Sequence, residues 1–114
     1  MIIIHTVLED YWNNFIGKEL YGTLSLDEDG FIHCSTFDTI LDVANSNFKN
    51  CEQVLLVCID TDKVIPEIKW EDSSNCGTKY PHIYGLLNMT AVVDTFKFNK
   101  DTDGDFYLPR KFNV

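Results

Sequence analysis

Apolar residues along this chain change their spacing several times, and each spacing predicts a different kind of element. Residues 1–6 and 54–59 are almost continuously apolar and rich in β-branched side chains, which predicts buried strands, the second covered on both faces. Residues 8–16 and 37–48 carry their apolar side chains at helical intervals, which predicts two helices. Shorter β-rich segments predict the remaining strands, at 31–34, 68–71, 90–98 and 104–108.

These elements predict an α+β fold for residues 1–114 as one domain, with a small mixed or antiparallel sheet of five to six strands and two main helices. Gly17 is the expected C-cap of the first helix. Ser35 begins a capping box, so we expect it to cap the second helix, where its loss would cost about 1 kcal/mol. Asp29-Gly30 predicts a turn that leads into the strand at 31–34.

The charge and the apolar pattern exclude several classes of partner. The net charge is -9, and Arg110 is the only arginine. Because a nucleic-acid-binding protein needs a positive face, we expect no nucleic acid partner. No apolar run approaches the roughly 18 to 20 residues of a membrane span, and the apolar N-terminus is too short for a signal peptide. The chain is therefore expected to be cytoplasmic, with no membrane partner, and its four cysteines to remain thiols.

All three histidines lie in short clusters rich in apolar, aromatic and hydroxyl side chains, at 2–6, 30–36 and 80–85. Imidazole is the side chain whose charge changes near neutral pH without environmental help. We therefore expect His5, His33 and His82 to line one pocket. The alternative for each histidine is a hydrogen-bonded structural role at the end of a strand.

Alternation along the predicted strand at 31–35 assigns its side chains to two faces. His33 and Ser35 are expected to face a cleft, and Ile32 and Cys34 the core. This placement makes Cys34 a poor candidate for a nucleophile, although it precedes a predicted helix. Because neighbouring side chains point apart and no paired ligand spacing occurs, no metal site is predicted.

Two irregular segments have their own predictions. Pro81 lacks a backbone donor, so His82 is expected on an irregular or edge segment, where functional residues often lie. Residues 99–104 begin like a calcium loop, but Arg110 occupies the position that needs a bidentate glutamate. A hairpin turn is predicted there instead.

At these clusters the chain resembles a bacterial family, domain of unknown function 952, over nearly its whole length. The residues and segments that carry the resemblance are His5, Trp12, Gly17, Tyr21, Ser25, 30–36, 55–56, 59–60, Glu71, 81–85, Leu87, 91–92, Phe106 and Pro109.

That family in turn looks like a compact relative of the ADP-ribosyltransferase fold, a split β-sheet that grips NAD. The resemblance implies that the first strand holds a ribose and that the 30–36 segment and the following helix lie beside the nicotinamide. The residues that it implies for NAD binding are His5, Thr6, Ser35, Thr36 and Asn45.

The same resemblance places His82 or Tyr84 at the third motif position, with His33 near the reacting end of the ligand. These three residues are the candidate catalytic groups, as general acid-base or positioning residues. Many such enzymes have an acidic residue at the third position. Glu71 lies nearby in the sequence but outside the motif.

Three hypotheses about function follow. In the first, the histidine-lined pocket binds NAD or a related nucleotide, and a catalytic version would break the nicotinamide–ribose bond and transfer ADP-ribose. The second is a non-enzymatic ligand-binding or protein-interaction module. The third is a hydrolase that uses Ser35 with a histidine, which the expected capping role of Ser35 argues against.

Overall fold

A computed structural model describes residues 1–73, 75–100 and 106, except for the side chain of Ser25. Eight strands and three helices lie in this part of the chain, so the fold is α+β, with more elements than predicted. The helices are α1 (Glu9–Asn13), α2 (Leu24–Asp29) and α3 (Ile40–Asn47). The strands are β1 (Ile2–Val7), β2 (Leu20–Tyr21), β3 (Ile32–His33), β4 (Gln53–Asp60), β5 (Glu67–Glu71), β6 (Tyr80–Tyr84), β7 (Leu87–Asn88) and β8 (Val92–Asn99).

The described strands form three antiparallel sheets, in the orders β1-β4-β8, β3-β6-β5 and β2-β7. One bridge connects the two larger sheets. Ile4 N–H donates to the Ser35 carbonyl over 2.8 Å, and Ser35 N–H donates to the Ile4 carbonyl over 2.6 Å. From His5 to Val7, no described backbone pair connects β1 to the sheet of β3, β5 and β6, so the two sheets separate there.

Strand β4 is buried on both faces, as its continuous apolar run predicts. One face, with Leu55 and Val57, packs in a core that also contains Trp12 and Tyr21. The opposite face contributes Leu56 to a second core, which includes the buried side chains of α3. Two cores on the two sides of one strand explain why hydrophobic alternation is absent from β4.

The first helix and the Asp29-Gly30 turn differ from the predictions. Helix α1 ends at Asn13, four residues before Gly17, so Gly17 is not its C-cap but lies beyond a further turn. Gly30, at φ 86°, is the left-handed C-cap of α2, an element that the sequence pattern did not predict. The predicted turn into a strand is therefore present at Asp29-Gly30, but the chain enters it from a helix.

Ser35 does not cap the second predicted helix. Helix α3 begins at Ile40, after Thr39, whose side-chain oxygen accepts a hydrogen bond from Thr36 N–H over 3.0 Å. The backbone of Ser35 is held in extended geometry by its bridge to Ile4, so a helix cannot begin there. Phe37 consequently precedes the helix and is exposed, whereas it was predicted on the buried face.

The segment around Pro81 is also more regular than predicted. Strand β6 is the central strand of its sheet, so His82 is not on an edge or in an irregular segment. The Pro81 carbonyl accepts a hydrogen bond from Cys34 N–H over 3.1 Å. The Pro81 nitrogen therefore faces Cys34, on the β3 side of the strand, as well. A residue other than proline at this position would also donate to the Cys34 carbonyl, so the missing N–H removes one ladder bond, and the regular pairing with β3 ends at His33.

Most of the predicted strand at 104–108 and of the hairpin turn at 99–104 lies outside the described residues; within the described ones, Lys100 and Phe106 form an antiparallel bridge. In the part of the chain that is described, no helix combines the length and apolar character needed to cross a membrane.

Candidate functional site

The three histidines lie on the wall of one cavity of about 680 Å³. His5 comes from β1, His33 from β3 and His82 from β6, and residues of α3 close another part of the wall. The volume is in the range of pockets that hold small ligands. His33 and His82 are direct cross-strand partners, so their rings lie on the same face with centroids 5.4 Å apart.

His5 is buried, and hydrogen bonds occupy both of its ring nitrogens. The His33 carbonyl lies 2.8 Å from Nδ1, and the Tyr21 hydroxyl lies 2.7 Å from Nε2. A carbonyl only accepts, so Nδ1 carries the proton and Nε2 accepts from Tyr21. Burial lowers the pKa of His5 from 6.5 to about 4, against the opposing effect of the His33 carbonyl. His5 is therefore neutral near pH 7 and joins β1 to β3 across the point where the sheets diverge.

His33 is about half exposed at the mouth of the site. Its Nε2 donates to the Asp29 carboxylate over 3.1 Å, a contact between residues four positions apart. Because both side chains are exposed, the ion pair contributes little to stability. The Phe31 ring lies edge-on to His33, with a centroid distance of 4.7 Å.

His82 is buried between an aromatic ring and a carboxylate. Phe31 stacks on it at 4.0 Å and 15°, and Glu71 Oε1 lies 3.0 Å from Nδ1. The Tyr84 hydroxyl donates to the same Glu71 oxygen over 2.5 Å. Hydrogen bonds from Tyr84 and then His82 lower the pKa of Glu71, and the same carboxylate raises the pKa of Tyr84 to about 12. Glu71 is thus a carboxylate, and Tyr84 an un-ionised phenol, at neutral pH.

Thr6, a residue of the cavity wall, has three polar groups without a partner among the described residues. The backbone N–H and C=O of Ile4 both bond to Ser35, on the side of β1 that faces away from β4. Thr6 is two residues further along the strand, so its N–H and C=O also face away from β4. No described residue pairs with them there. The side-chain Oγ1 of Thr6 is fully buried and also lacks a partner among the described residues.

The charge of the cavity wall is low. Asp42 is its one carboxylate, and neither lysine nor arginine lines it within the described part of the chain. The described residues as a whole contain no group of three or more histidine, cysteine or acidic side chains that could hold a metal ion. The polar groups of the wall that a ligand can contact include the His33 and His82 imidazoles, the Asn47 amide and the open edge of β1.

The predicted site residues divide into two sets in the structure. Five lie on the cavity wall, namely His5, Thr6, His33, Ser35 and His82. The other three, although described, lie outside that wall. Thr36 contacts Thr39, Asn45 accepts from the Phe106 amide over 2.8 Å, and Tyr84 contacts Glu71.

Sequence reasoning did not assign the three residues that orient the histidines, which are Tyr21, Asp29 and Glu71. Asp29 ends α2 and His33 lies in β3, so their contact depends on the turn at Gly30 between the two elements. Glu71 meets His82 through the pairing of β5 with β6, a strand that the sequence pattern did not predict. Tyr21 reaches His5 through the core and has no local signal.

The cysteines give a prediction about thiol reactivity. Cys34 lines the cavity but is 4% exposed, and burial strongly raises the pKa of its thiol. Burial also raises the pKa of Cys58 to about 11, whereas Cys76 is exposed. Because the thiolate is the reactive form, iodoacetamide at pH 7.5 is expected to alkylate Cys76 and spare Cys34 and Cys58 in the folded protein. Peptide mass mapping measures this, with a denatured sample as control, and rapid alkylation of native Cys34 would contradict it.

Comparison with known proteins identifies the family. Residues 6–95 match the family described as "Protein of unknown function (DUF952)". The chain belongs to this family. The DUF952 chain is similar to the crystal structure of protein CC0527 from Caulobacter crescentus, at 23% identity over 100% of both chains with a TM-score of 0.86.

The solution NMR structure of CC0527 is similar to the DUF952 chain at 24% identity, over 91% of this chain and 90% of that one, with a TM-score of 0.78. No curated protein matches the chain. The family resemblance predicted from the sequence is confirmed, and the similarity to CC0527 shows a shared fold. The likeness to ADP-ribosyltransferases stays a prediction.

Proposed function

We propose that this protein binds NAD or a related nicotinamide nucleotide, with the nicotinamide end in the histidine-lined cavity. The observation that carries the proposal is the open edge of β1 at Thr6, which lies in the wall between imidazoles from three separate segments. Sites with a few convergent polar groups in a concave pocket are the usual ligand sites of small proteins.

The Thr6 peptide group complements a primary carboxamide. Its N–H donates and its C=O accepts on the same edge, and a carboxamide offers one acceptor oxygen and an NH₂ donor. Unpaired polar groups are unfavourable, so a ligand that pairs with the Thr6 N–H and C=O gains affinity.

The charges in the cavity support the nicotinamide end as the part that enters. The ring nitrogen of oxidised nicotinamide nucleotides is positively charged, and Asp42 is the one carboxylate in the described wall. Phosphates would find no lysine or arginine there, so they are placed outside the cavity. The overall charge of -9 also favours a cationic group over an anionic one.

The proposal extends to ADP-ribosyl transfer if the bound nucleotide is cleaved. NAD supplies a nicotinamide–ribose bond that can be broken. A hydroxyl group of an acceptor would bond to the ribose carbon as nicotinamide leaves, and His82 would take the proton that this hydroxyl loses. The chain also contributes the hold on the carboxamide at Thr6. His5 transfers no proton, because both of its nitrogens are occupied and its pKa is lowered to about 4.

A binding module without turnover is the second candidate, and the state of His5 favours it. The deepest histidine orients neighbouring groups instead of exchanging protons. The hydrolase that uses Ser35 has no described histidine in contact with the Ser35 hydroxyl to support it. Release of free nicotinamide from NAD, measured by chromatography, distinguishes transfer from binding alone.

The carboxamide contact gives a test of the proposed ligand. Isothermal titration with NAD and with its nicotinic acid analogue, which replaces the amide by a carboxylate, is expected to show about tenfold tighter binding of NAD, because the carboxylate cannot donate to the Thr6 carbonyl. Thr6→Val removes an Oγ1 that solvent does not reach, and is expected to leave NAD binding unchanged, because the proposed contacts come from the Thr6 backbone. No heat and no melting shift with NAD, ADP-ribose or nicotinamide would overturn the proposal.

A further inference from the structure

The contacts of His82 are unequal at its two nitrogens. Nδ1 lies 3.0 Å from the Glu71 carboxylate, whereas Nε2 has no hydrogen-bond partner among the described residues. Nε2 is not sealed in the core either. Thr6 Oγ1 is the one side-chain nitrogen or oxygen of the described residues that is both fully buried and unpaired. The unpaired Nε2 of His82 is therefore reached by solvent.

The position of Glu71 determines which nitrogen of His82 carries the proton. An ionised carboxylate only accepts, so the neutral imidazole must place its proton on Nδ1 and leave a lone pair on Nε2. The carboxylate is itself held in place by the Tyr84 hydroxyl on the same oxygen. Phe31 stacks against the ring and restricts its rotation.

We infer that Glu71 is a positioning residue, which holds His82 with Nδ1 protonated and so presents Nε2 to the cavity as an acceptor for a hydroxyl or N–H group of the ligand. Glu71 and Tyr84 lie behind His82, outside the cavity wall, whereas His82 is part of it. The ligand class that fits bears a donor at this point, such as a ribose hydroxyl. This inference deepens the proposed function, on which its ligand part rests.

The arrangement distinguishes the three histidines from one another. His5 donates from Nδ1 to a carbonyl and His82 from Nδ1 to a carboxylate, whereas His33 donates from Nε2 to Asp29. In the ligand-free protein, His5 and His82 are thus expected as Nδ1–H tautomers when neutral, with His33 as Nε2–H. The opposite pattern of His33 provides an internal reference in the same spectrum.

Long-range ¹H–¹⁵N correlation spectra of the ligand-free protein test the positioning role. The parent protein is expected to show His82 with a protonated Nδ1, and Glu71→Ala to show a mixture of tautomers at His82 with His5 unchanged. Glu67→Ala is the control, since Glu67 lies on the same strand with an exposed side chain that pairs with Lys69. A parent His82 protonated at Nε2 overturns the inference, even if Glu71→Ala does not fold. An unchanged tautomer in folded Glu71→Ala overturns it as well.

Titration with NAD separates this inference from the proposed function. Glu71→Ala is expected to bind NAD about tenfold more weakly, and Glu67→Ala as tightly as the parent. Equal affinity of Glu71→Ala and the parent would overturn the role of Nε2 toward the ligand. Failure of the parent protein to bind NAD would overturn the proposed function, while the tautomer spectra still decide the role of Glu71.

Discussion

Replacement of His5 with asparagine is expected to flatten the loss of stability that the protein suffers between pH 7 and pH 4. Burial lowers the pKa of His5 from 6.5 to about 4, so the unfolded chain binds a proton in this range that the folded protein does not. The free energy of unfolding therefore falls as the pH decreases from about 6.5 toward 4. Integrated over that range, the single imidazole accounts for about 3 kcal/mol, which is a large part of the stability of a small domain.

Urea denaturation at several pH values measures this effect. Asparagine retains an amide donor for the His33 carbonyl but cannot titrate, so the difference between the parent and His5→Asn is expected to shrink by about 3 kcal/mol from pH 7 to pH 4. Tyr21→Phe is the matched control. It removes the hydroxyl that contacts Nε2 but keeps the imidazole, so it is expected to lower stability and to retain the steep pH dependence. Parallel curves for the parent and His5→Asn would contradict the buried, neutral state of His5.

Leu56→Ala is expected to lower the free energy of unfolding by about 2–5 kcal/mol. Leu56 is fully buried at the centre of β4, where it faces the core formed with α3. Neighbouring strands on both sides hold the backbone of β4, so the surrounding structure can collapse only partly into the space that the side chain leaves. The loss combines the transfer free energy of the missing methyl groups with the cost of the remaining cavity.

Guanidinium denaturation compares this variant with Val93→Ala. Val93 belongs to the neighbouring strand β8 but is 46% exposed, so its truncation is expected to change the free energy of unfolding by less than about 1 kcal/mol. A loss below about 1 kcal/mol for Leu56→Ala would contradict the burial of β4 on both faces. An equally large loss for Val93→Ala would contradict the exposed position of that residue.

The sequence pattern predicted the elements whose signal is local. The continuous apolar run of β4 and its burial on both faces were correct, because a strand between two cores needs apolar residues at successive positions. The alternation at 31–34 correctly placed Ile32 and Cys34 in the core and left His33 exposed. Helix α2 was missed because its six residues carry four polar side chains and no long apolar period.

Other predictions failed where long-range bonds overrode a local motif. Ser35 matches a capping box, yet its backbone is committed to Ile4, so α3 begins five residues later. Pro81 suggested an edge or an irregular segment, yet it lies in a central strand, where its missing donor coincides with the end of the regular pairing with β3. Local propensity is a weak constraint when distant segments provide the hydrogen bonds.

By itself, the sequence determined that the protein has an α+β fold with β4 in its interior, since hydrophobic spacing records which faces are buried. It also singled out His5, His33 and His82 as unusual. Only the tertiary structure decided that these side chains share a cavity and which nitrogen of each is occupied. The physical reason is that their partners, Tyr21 and Glu71 among them, are brought close by strand pairing and core packing, which the local spacing of residues does not specify.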